Sequence, residues 1–572
     1  MTTFRVWAPK AAVVELDLSG RRVSMAAMAG GWHAADVRDA APGTDYGYAL
    51  DGGPVLPDPR SPWQPAGVDG PSRTVDHAAF PWTDAAWRGV HLPSAVLYEL
   101  HVGTFTAEGT FDAVVGRLDH LRDLGVDAIE LMPVAQFPGT RGWGYDGVDL
   151  YAPHESYGGP EGLKRLVDAC HARGLGVVMD VVYNHLGPAG NYLGAYGPYF
   201  TERYATPWGA AVNLDDAGSD EVRAFFVDNA LMWLRDYHCD GLRIDAVHAI
   251  LDTSATHLLE ELAVGVEALA ASLGRPLFTI AESDLNDPRV VRRREVGGYG
   301  IDAQWSDDFH HAVHAALTGQ RDGYYADFGR LAHVATALRR AFVYAGEYSA
   351  ARDRRHGRFD PGLSGSRFLG YAQNHDQVGN RAQGDRSSAL MSPGRLRLAA
   401  ALVLTSPFVP MLFQGEEWAA TTPFQYFTDH EDPALGIAVS EGRRSEFVAF
   451  GWEPADVPDP QDRATFERSI LDWSELGRKE HAAMLDWHRR LIALRRSVPA
   501  LADARMEAVR CRFDEEAGWL EVRRGTVTVA GNIGVLPVEL VASGNLVLAS
   551  EGAEMGTGGT LRLAPDSVAV LA

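Results

Sequence analysis

The sequence predicts an α/β protein, a (β/α)₈ or TIM barrel with a small β-domain on each side. Between residues 94 and 413, eight apolar β-type runs alternate with connecting segments, and several of these segments have an amphipathic helical pattern. Both ends of the chain contain only short β-type runs. Consecutive parallel strands need crossover connections, and eight such units can close into a barrel. With 572 residues, 46% of them hydrophobic, the chain can form a large core and exceeds one ordinary domain.

The two flanking segments are predicted from turn-separated β-type runs. The first runs cover 4–8, 12–18, 32–37 and 46–50, and a stretch rich in Gly, Pro and Asp follows at 51–72. This pattern is typical of a small β-sandwich. The last runs cover 508–513, 519–522, 526–529 and 538–541, which predicts an antiparallel domain. We therefore expect domains at 1–88, 89–498 and 499–572.

The central segment contains the predicted barrel strands. They cover 95–102, 128–134, 176–183, the run ending at Asp245, 277–282, 303–305, 368–373 and 409–413. Helices are predicted at 111–124, where apolar residues recur every three or four positions, and at 161–173 and 220–237. The interval between the third and fourth strands is long and rich in Gly, Tyr and Pro, so we expect an excursion over the barrel mouth there.

Composition excludes several classes of protein. The net charge of −24, from 52 basic and 76 acidic residues, argues against nucleic acid or an anionic membrane as a partner. Three scattered cysteines predict neither a disulfide framework nor a structural zinc site. The N-terminus has no signal-peptide pattern, and no run approaches the roughly 20 apolar residues of a membrane span. We expect a soluble, cytoplasmic protein.

Charged side chains stand at the ends of several predicted strands. Arg243 and Asp245 are two residues apart on one strand and therefore project to the same side. A neighbouring guanidinium favours the carboxylate form, which suits a nucleophile; a structural salt bridge is the alternative. Glu282 ends the next strand, and His375 and Asp376 follow the seventh. Three strand-end carboxylates are hard to explain by core packing alone.

These strand ends would meet at one rim of the barrel, where active sites of this fold lie. Two carboxyl groups held about 5–5.5 Å apart can run a retaining glycosidase, one attacking the anomeric carbon and the other protonating the leaving oxygen. A third carboxylate with imidazoles can hold sugar hydroxyls and favour positive charge on the ring. The sequence therefore predicts glycoside chemistry.

Four segments, at 180–185, 241–245, around 282 and at 374–376, resemble the four signature regions of the α-amylase superfamily of glycoside hydrolases, in the same order. The resemblance implies that Asp245 is the nucleophile, Glu282 the general acid/base and Asp376 the transition-state stabiliser. It also implies that other residues surround the reacting sugar: Arg243, which Asp180 would orient, His185 and His375.

Within that superfamily, further segments resemble the maltooligosyltrehalose trehalohydrolases. They are 130–134, 141–148, 302–311, 373–381 and 409–418. The resemblance implies hydrolysis of the α-1,4 bond next to the terminal trehalose unit, in trehalose biosynthesis, with a maltooligosyltrehalose synthase as functional partner. The N-terminal sandwich resembles the carbohydrate-binding-module-like domain that this family shares with glycogen branching and debranching enzymes. No calcium-site loop is apparent, so we expect no metal and no cofactor.

Other side chains are candidates for substrate binding. Tyr145, in a glycine-flanked turn, resembles the tyrosine that stacks on the sugar before the scissile bond, since aromatic walls suit apolar sugar faces. Trp143, His248 and Asp307 are further candidates, with core packing or simple solvation as the alternative. His310, His311 and His314 share one helix face, which favours partnered helical positions over a metal cluster. The aromatic residues of the third loop either line a glucan groove or pack that loop: Tyr192, Tyr196, Tyr199, Phe200 and Trp208.

Two rival functions remain open from the sequence. A glycogen branching enzyme would use the same acids and the same N-terminal domain, and it differs only in what attacks the covalent intermediate. A glucan-binding protein without catalysis is the second rival, and the three acids together argue against it. Substituting Asp245 separates the classes, because an enzyme loses turnover and a binding protein keeps its function.

Overall fold

The computed structural model describes residues 1–206, 209–448 and 452–572. Eight parallel strands close into a barrel in chain order, each hydrogen-bonded to the next and the last to the first. This confirms the predicted barrel and all eight predicted runs. The strands are Leu97–Leu100, Ala128–Leu131, Gly176–Val181, Gly241–Ile244, Phe278–Ala281, Ala303–Trp305, Phe368–Gly370 and Val409–Phe413.

Helices surround the barrel. The longer ones are Gly159–His171, Ser219–Arg235, Leu258–Leu273, Asp307–Thr318, Leu331–Arg340, Pro393–Leu404, Pro433–Val448 and Lys479–Ser497; the shorter ones are Val102–Phe105, Phe111–Val115, Leu118–Leu124, Leu193–Tyr196, His375–Gly379, Ser387–Leu390 and Arg463–Arg468. The single helix predicted at 111–124 is wrong, because it is two helices separated at Gly116 and Arg117. Glycine is a poor helix former, and the break lets both short helices bury their apolar residues.

Antiparallel sheets flank the barrel, as expected. The N-terminal strands are Thr2–Trp7, Val14–Leu18, Arg21–Ser24, Ala26–Ala27, Trp32–Val37, Asp45–Leu50, Val55–Leu56 and Ser72–Arg73, and they form two sheets. The C-terminal strands are Arg510–Asp514, Trp519–Arg524, Val527–Asn532, Val538–Val541, Leu546–Ala549, Ala553–Met555, Thr560–Leu563 and Ser567–Leu571, also in two sheets. The fold class is thereby confirmed, while the boundaries after residues 88 and 498 stay a prediction.

The excursion after the third strand packs against the N-terminal sheets. It contains the antiparallel pair Phe200–Thr206 and Gly209–Val212. The Tyr196 hydroxyl donates to the Pro57 carbonyl at 2.7 Å, and the Tyr199 ring lies 5.4 Å from the Trp7 ring. These aromatic side chains therefore anchor the loop. Trp208 lies outside the described residues.

Two further strands, Ala135–Gln136 and Asp149–Pro153, pair beside the second barrel strand, and Tyr348–Ser349 pairs with Arg354–Arg355 in the segment between the sixth and seventh. In the described part of the chain, every helix is too short or too polar to cross a membrane.

Candidate active site

A cleft of about 900 Å³ opens where the barrel strands end. Eight of the predicted site residues line it together: Trp143, Tyr145, His185, Asp245, His248, Glu282, Asp307 and Asp376. The other two, Arg243 and His375, are buried and hydrogen-bond to residues that line it. The fold thus brings together side chains that are up to 233 positions apart, from Trp143 to Asp376.

The buried Arg243 guanidinium holds three carboxylates. Its Nη1 donates to both oxygens of Asp180, at 2.8 and 2.7 Å, and to Oδ1 of Asp245 at 2.9 Å. Its Nη2 donates to Oε2 of Glu282 at 2.8 Å. The guanidinium carbon also lies 4.3 Å from the centre of the Trp305 ring, a cation–π contact. One rigid cation therefore sets the positions of both acids expected to react.

Asp245 is held as a carboxylate. Burial favours its neutral form, but Arg243, His185 and the Asn184 amide outweigh burial and hold the pKa of Asp245 below its usual value. The Asn184 amide donates to Oδ2 at 2.7 Å and to the Asp245 carbonyl at 3.0 Å. An ionised, oriented carboxylate is what nucleophilic attack on an anomeric carbon requires.

The surroundings of Glu282 favour its neutral form. Burial raises its pKa well above the usual value; the Arg243 charge opposes this, and the nearby Asp245 and Asp376 carboxylates add to it. Both of its hydrogen-bond donors, Arg243 Nη2 and the Ala246 N–H at 2.7 Å, point at Oε2. In its neutral form Glu282 therefore has its proton on Oε1, the oxygen that neither donor contacts.

Ala246 joins the two acids through a strained backbone. It follows Asp245 directly and adopts φ 38° and ψ 53°, in the left-handed region that residues other than glycine rarely occupy. Such a conformation costs on the order of 1–3 kcal/mol and is retained where the surroundings enforce it. Here it turns the Ala246 N–H toward Glu282 Oε2. The strained turn thus holds Glu282 beside Asp245.

His375 and Asp376 begin a short helix, His375–Gly379, capped by the Asn374 side chain. His375 is buried, and although burial opposes its charge, Asp376 and Glu99 raise its pKa to about 9, so it is a cation. Asp376 is 30% exposed in its side chain, and its Oδ1 lies 3.4 Å from His375 Nε2 and accepts from the Asn380 amide at 3.1 Å. The third acid therefore faces the cleft from the seventh strand.

Tyr145 forms one wall of the cleft. Its hydroxyl donates to Asp180 at 2.7 Å, and its ring stacks on His375 with centroids 5.2 Å apart. The preceding Gly144 has φ 102°, and a Cβ there would lie 2.1 Å from the Pro133 carbonyl oxygen, so this turn requires glycine. The ring of His185 donates from Nε2 to the Tyr145 carbonyl at 3.0 Å, and burial lowers the pKa of His185. Both side chains therefore line the cleft.

The remaining predicted residues differ in their access to the cleft. Trp143 is only 5% exposed, and its indole N–H donates to the Gln425 carbonyl at 2.9 Å, so packing dominates its environment. The His248 side chain is 29% exposed at the cleft surface. Asp307 accepts from the Tyr371 hydroxyl, and burial raises the pKa of Asp307 to about 7. His248 and Asp307 are therefore available to a ligand, and Trp143 forms the floor.

The three histidines of the helix Asp307–Thr318 have protein partners or aromatic neighbours. His310 bonds the Ala372 carbonyl and the Tyr325 hydroxyl, both at 2.8 Å, and His314 bonds the Gln320 amide oxygen at 3.0 Å. His311 packs among Tyr324, Tyr325 and Phe328. Among the residues described, no group of three or more His, Cys, Asp or Glu side chains is arranged to hold a metal ion.

Part of the cleft carries no strand-end signal in the sequence. Its wall also includes Asp284, Tyr324, Arg352, Tyr426, Arg443 and Glu446. These residues come from the long segments after the fifth, sixth and eighth strands, Arg443 and Glu446 from the helix Pro433–Val448, and no strand-end pattern marks them. The interval between the eighth strand and the helix Lys479–Ser497, rich in aromatic and charged residues, was the available signal for a second excursion.

Comparisons with known proteins agree on one family. The family model of the α-amylase catalytic domain matches residues 78–196. The malto-oligosyltrehalose trehalohydrolase of Arthrobacter ramosus is 54% identical, covering 97% of both chains, and that of Mycobacterium tuberculosis is 51% identical, covering 100% of this chain and 99% of the relative. A crystal structure from Salmonella typhimurium, named for an α-amylase, superposes with a TM-score of 0.92 at 40% identity, covering 100% of this chain and 97% of that one. The chain therefore belongs to the malto-oligosyltrehalose trehalohydrolases, glycoside hydrolases of the α-amylase family.

Proposed function

We propose that this protein hydrolyses the α-1,4-glucosidic bond adjacent to the terminal trehalose unit of maltooligosyltrehalose and releases trehalose and a maltooligosaccharide. The observation that carries the chemistry is that one buried cation, Arg243, holds Asp245 and Glu282 at one cleft, where the surroundings lower the pKa of Asp245 and raise that of Glu282. Two acids poised in opposite protonation states are the requirement of a retaining glycosidase. The family membership supports the choice of substrate.

The reaction proceeds in two steps. Asp245 attacks the anomeric carbon, the bond to the trehalose oxygen breaks, and Glu282 gives its proton to that oxygen as trehalose leaves. Glu282, now a carboxylate, takes a proton from water, and the resulting hydroxyl displaces Asp245 from the maltooligosaccharide. Both steps invert the anomeric carbon, so the product retains the α configuration.

The surrounding residues are assigned to the sugar being transferred. The Asp376 carboxylate stabilises positive charge developing on the sugar ring, and the Tyr145 ring supports the apolar sugar face. His185, His375 and Arg243 hold the acids and the sugar hydroxyls in place. We assign His248 and Asp307 to the cleft surface that binds substrate, and Trp143 to the floor beneath it.

We also propose that the protein works in the cytoplasm, downstream of a maltooligosyltrehalose synthase that forms its substrate. Its three cysteines are free thiols, two of them buried, which is compatible with a reducing compartment. With a net charge of −24, neither nucleic acid nor an anionic membrane is a favourable partner.

The pH dependence of kcat/KM should be bell-shaped. Activity falls at low pH as Asp245 gains a proton, and because its pKa is lowered, this limb lies below the usual range of aspartate. Activity falls at high pH as Glu282 loses its proton, and because its pKa is raised, this limb lies well above the usual range of glutamate. Initial rates across the pH range measure both limbs. An alkaline limb that stays in place in Glu282→Gln would contradict the assignment.

Product analysis tests the substrate. The purified protein is incubated with maltotriosyltrehalose, and in parallel with maltopentaose and amylose. We expect trehalose and maltotriose from the first substrate and slow attack on the plain glucans. New α-1,6 branches in amylose, without free trehalose, would instead identify a branching enzyme.

A further inference from the structure

Glu99, on the first barrel strand, holds the residue that precedes the third acid. Its side chain is 1% exposed and does not line the cleft. Oε1 accepts from Nδ1 of His375, and Oε2 accepts from the backbone N–H of the same residue at 2.9 Å. Both oxygens of one carboxylate therefore fix both the ring and the backbone of His375. The next residue along the chain is Asp376.

The Glu99 carboxylate also sets the direction of a hydrogen-bond chain. When His375 is a cation, Nδ1 donates to Glu99 and Nε2 can donate to the Tyr145 hydroxyl, which lies 2.8 Å away. That hydroxyl then donates to Asp180 at 2.7 Å, and Asp180 accepts from Arg243. A neutral His375 that kept its proton on Nδ1 would instead accept from Tyr145 and remove the donor from Asp180. The orientation of this chain depends on a charged His375.

A second glutamate lies beside the first and makes a natural control. Glu130, on the second barrel strand, is the direct register partner of Glu99 and is also 1% exposed. Neither of its carboxyl oxygens has a hydrogen-bond partner among the described residues. A second negative charge at this depth would be costly, and burial together with Glu99 raises the pKa of Glu130 well above the usual value. The surroundings of Glu130 therefore favour its neutral form.

We propose that Glu99 is a positioning residue for glycoside hydrolysis, which keeps His375 charged and fixes the turn that presents Asp376, whereas Glu130 takes no part in the reaction. The proposal rests on the proposed function for the reaction that is measured. Other charged or titratable groups also act on His375: His101, Glu130, Asp180, Arg243, Asp245 and Asp376, together with the Tyr145 hydroxyl. Each variant described below changes only the residues that it names, so the other groups are retained.

The test compares Glu99→Gln with the matched Glu130→Gln. We expect Glu99→Gln to lower kcat about 10- to 100-fold, the usual loss when a residue that orients a functional side chain is replaced, with a smaller change in KM. A further loss of activity, caused by His375, should appear at a pH below the wild-type alkaline limb that Glu282 sets, because His375 without the Glu99 charge loses its proton more easily. Glu130→Gln should keep near wild-type kcat and the same pH profile. Equal losses in the two variants would overturn the proposal, since a purely structural role makes no distinction between them.

Two further variants guard against misfolding. Glu99→Asp keeps the charge, so it should not add the lower alkaline limb of His375 even if kcat falls; a loss of activity at as low a pH as in Glu99→Gln contradicts the proposal. In a His375→Asn background, Glu99→Gln should cause no additional loss, because residues that act through one another are not additive. Independent, multiplying losses would show that Glu99 acts by another route. Should the wild type form branches and no trehalose, the proposed function fails, while the same rate ratios on amylose still test Glu99.

Discussion

Replacing Asp245 with Asn is expected to reduce kcat by roughly 10⁴-fold or more, the scale seen when an enzyme loses its nucleophile. The amide has nearly the shape of the carboxylate but cannot form the glycosyl ester. Arg243 keeps Asp180 and Glu282 as partners, so the variant should still fold. Loss of turnover with retained structure would separate chemistry from packing.

The measurement combines steady-state rates on maltotriosyltrehalose with a thermal unfolding scan and a substrate-binding titration. We expect an unfolding temperature close to wild type and measurable binding of the intact substrate. A variant that binds substrate and turns it over within tenfold of wild type would exclude Asp245 as the nucleophile. The Arg243–Asp245 pair would then be a structural salt bridge.

Replacing Glu282 with Gln is expected to lower kcat by about 10²–10⁴-fold, the range that general acid–base catalysis supplies. The amide can still accept from Arg243 and the Ala246 N–H through its oxygen, so the geometry is conserved. It cannot deliver a proton to the leaving trehalose. The alkaline limb of the pH profile should disappear as well, because the group that titrates there is gone.

A substrate with a better leaving group tests this assignment directly. Fluoride leaves a maltooligosyl fluoride without needing a proton, so Glu282→Gln should release a rapid burst of about one fluoride per enzyme and then slow, since the second step lacks its base. Azide, which needs no base, should restore steady turnover. An equally slow first step with the fluoride and with maltotriosyltrehalose would show that Glu282 is not the proton donor.

The sequence was sufficient to predict the barrel because strand-forming apolar runs and their spacing are local properties. It was also sufficient to predict which side chains meet, because barrel strands are parallel and their ends share one rim. The residues at those ends, among them Asp245, Glu282 and Asp376, all reach the cleft or its immediate border. Their chemical roles came from a resemblance and stay predictions until they are tested.

Other features depend on contacts that no local pattern encodes. Glu99 appeared only as one residue of a buried strand, since its partner His375 lies 276 positions away. The left-handed Ala246 has no glycine to mark it, because the surrounding contacts impose the conformation. Arg352 reaches the cleft from a long loop and Arg443 from the helix Pro433–Val448, and the positions of both segments depend on tertiary packing. The helix break at Gly116 follows from the low helix propensity of glycine. The regular spacing of apolar residues over 111–124 predicted one continuous helix in spite of it.

Because aromatic side chains anchor the third loop to the N-terminal segment, the barrel without that segment is not a separable unit of this protein. The N-terminal segment contacts Tyr196 and Tyr199 of that loop. It also contacts the barrel through its own Arg60, which pairs with Asp228 at 2.8 Å. A Cβ at Gly197 would lie 2.7 Å from the Trp7 ring, so the two parts are fitted closely. In a barrel that begins at residue 89, the rings of Tyr196 and Tyr199 would be exposed to water. If the N-terminal segment is exchanged for that of another protein, the loop after the third barrel strand must therefore be exchanged with it.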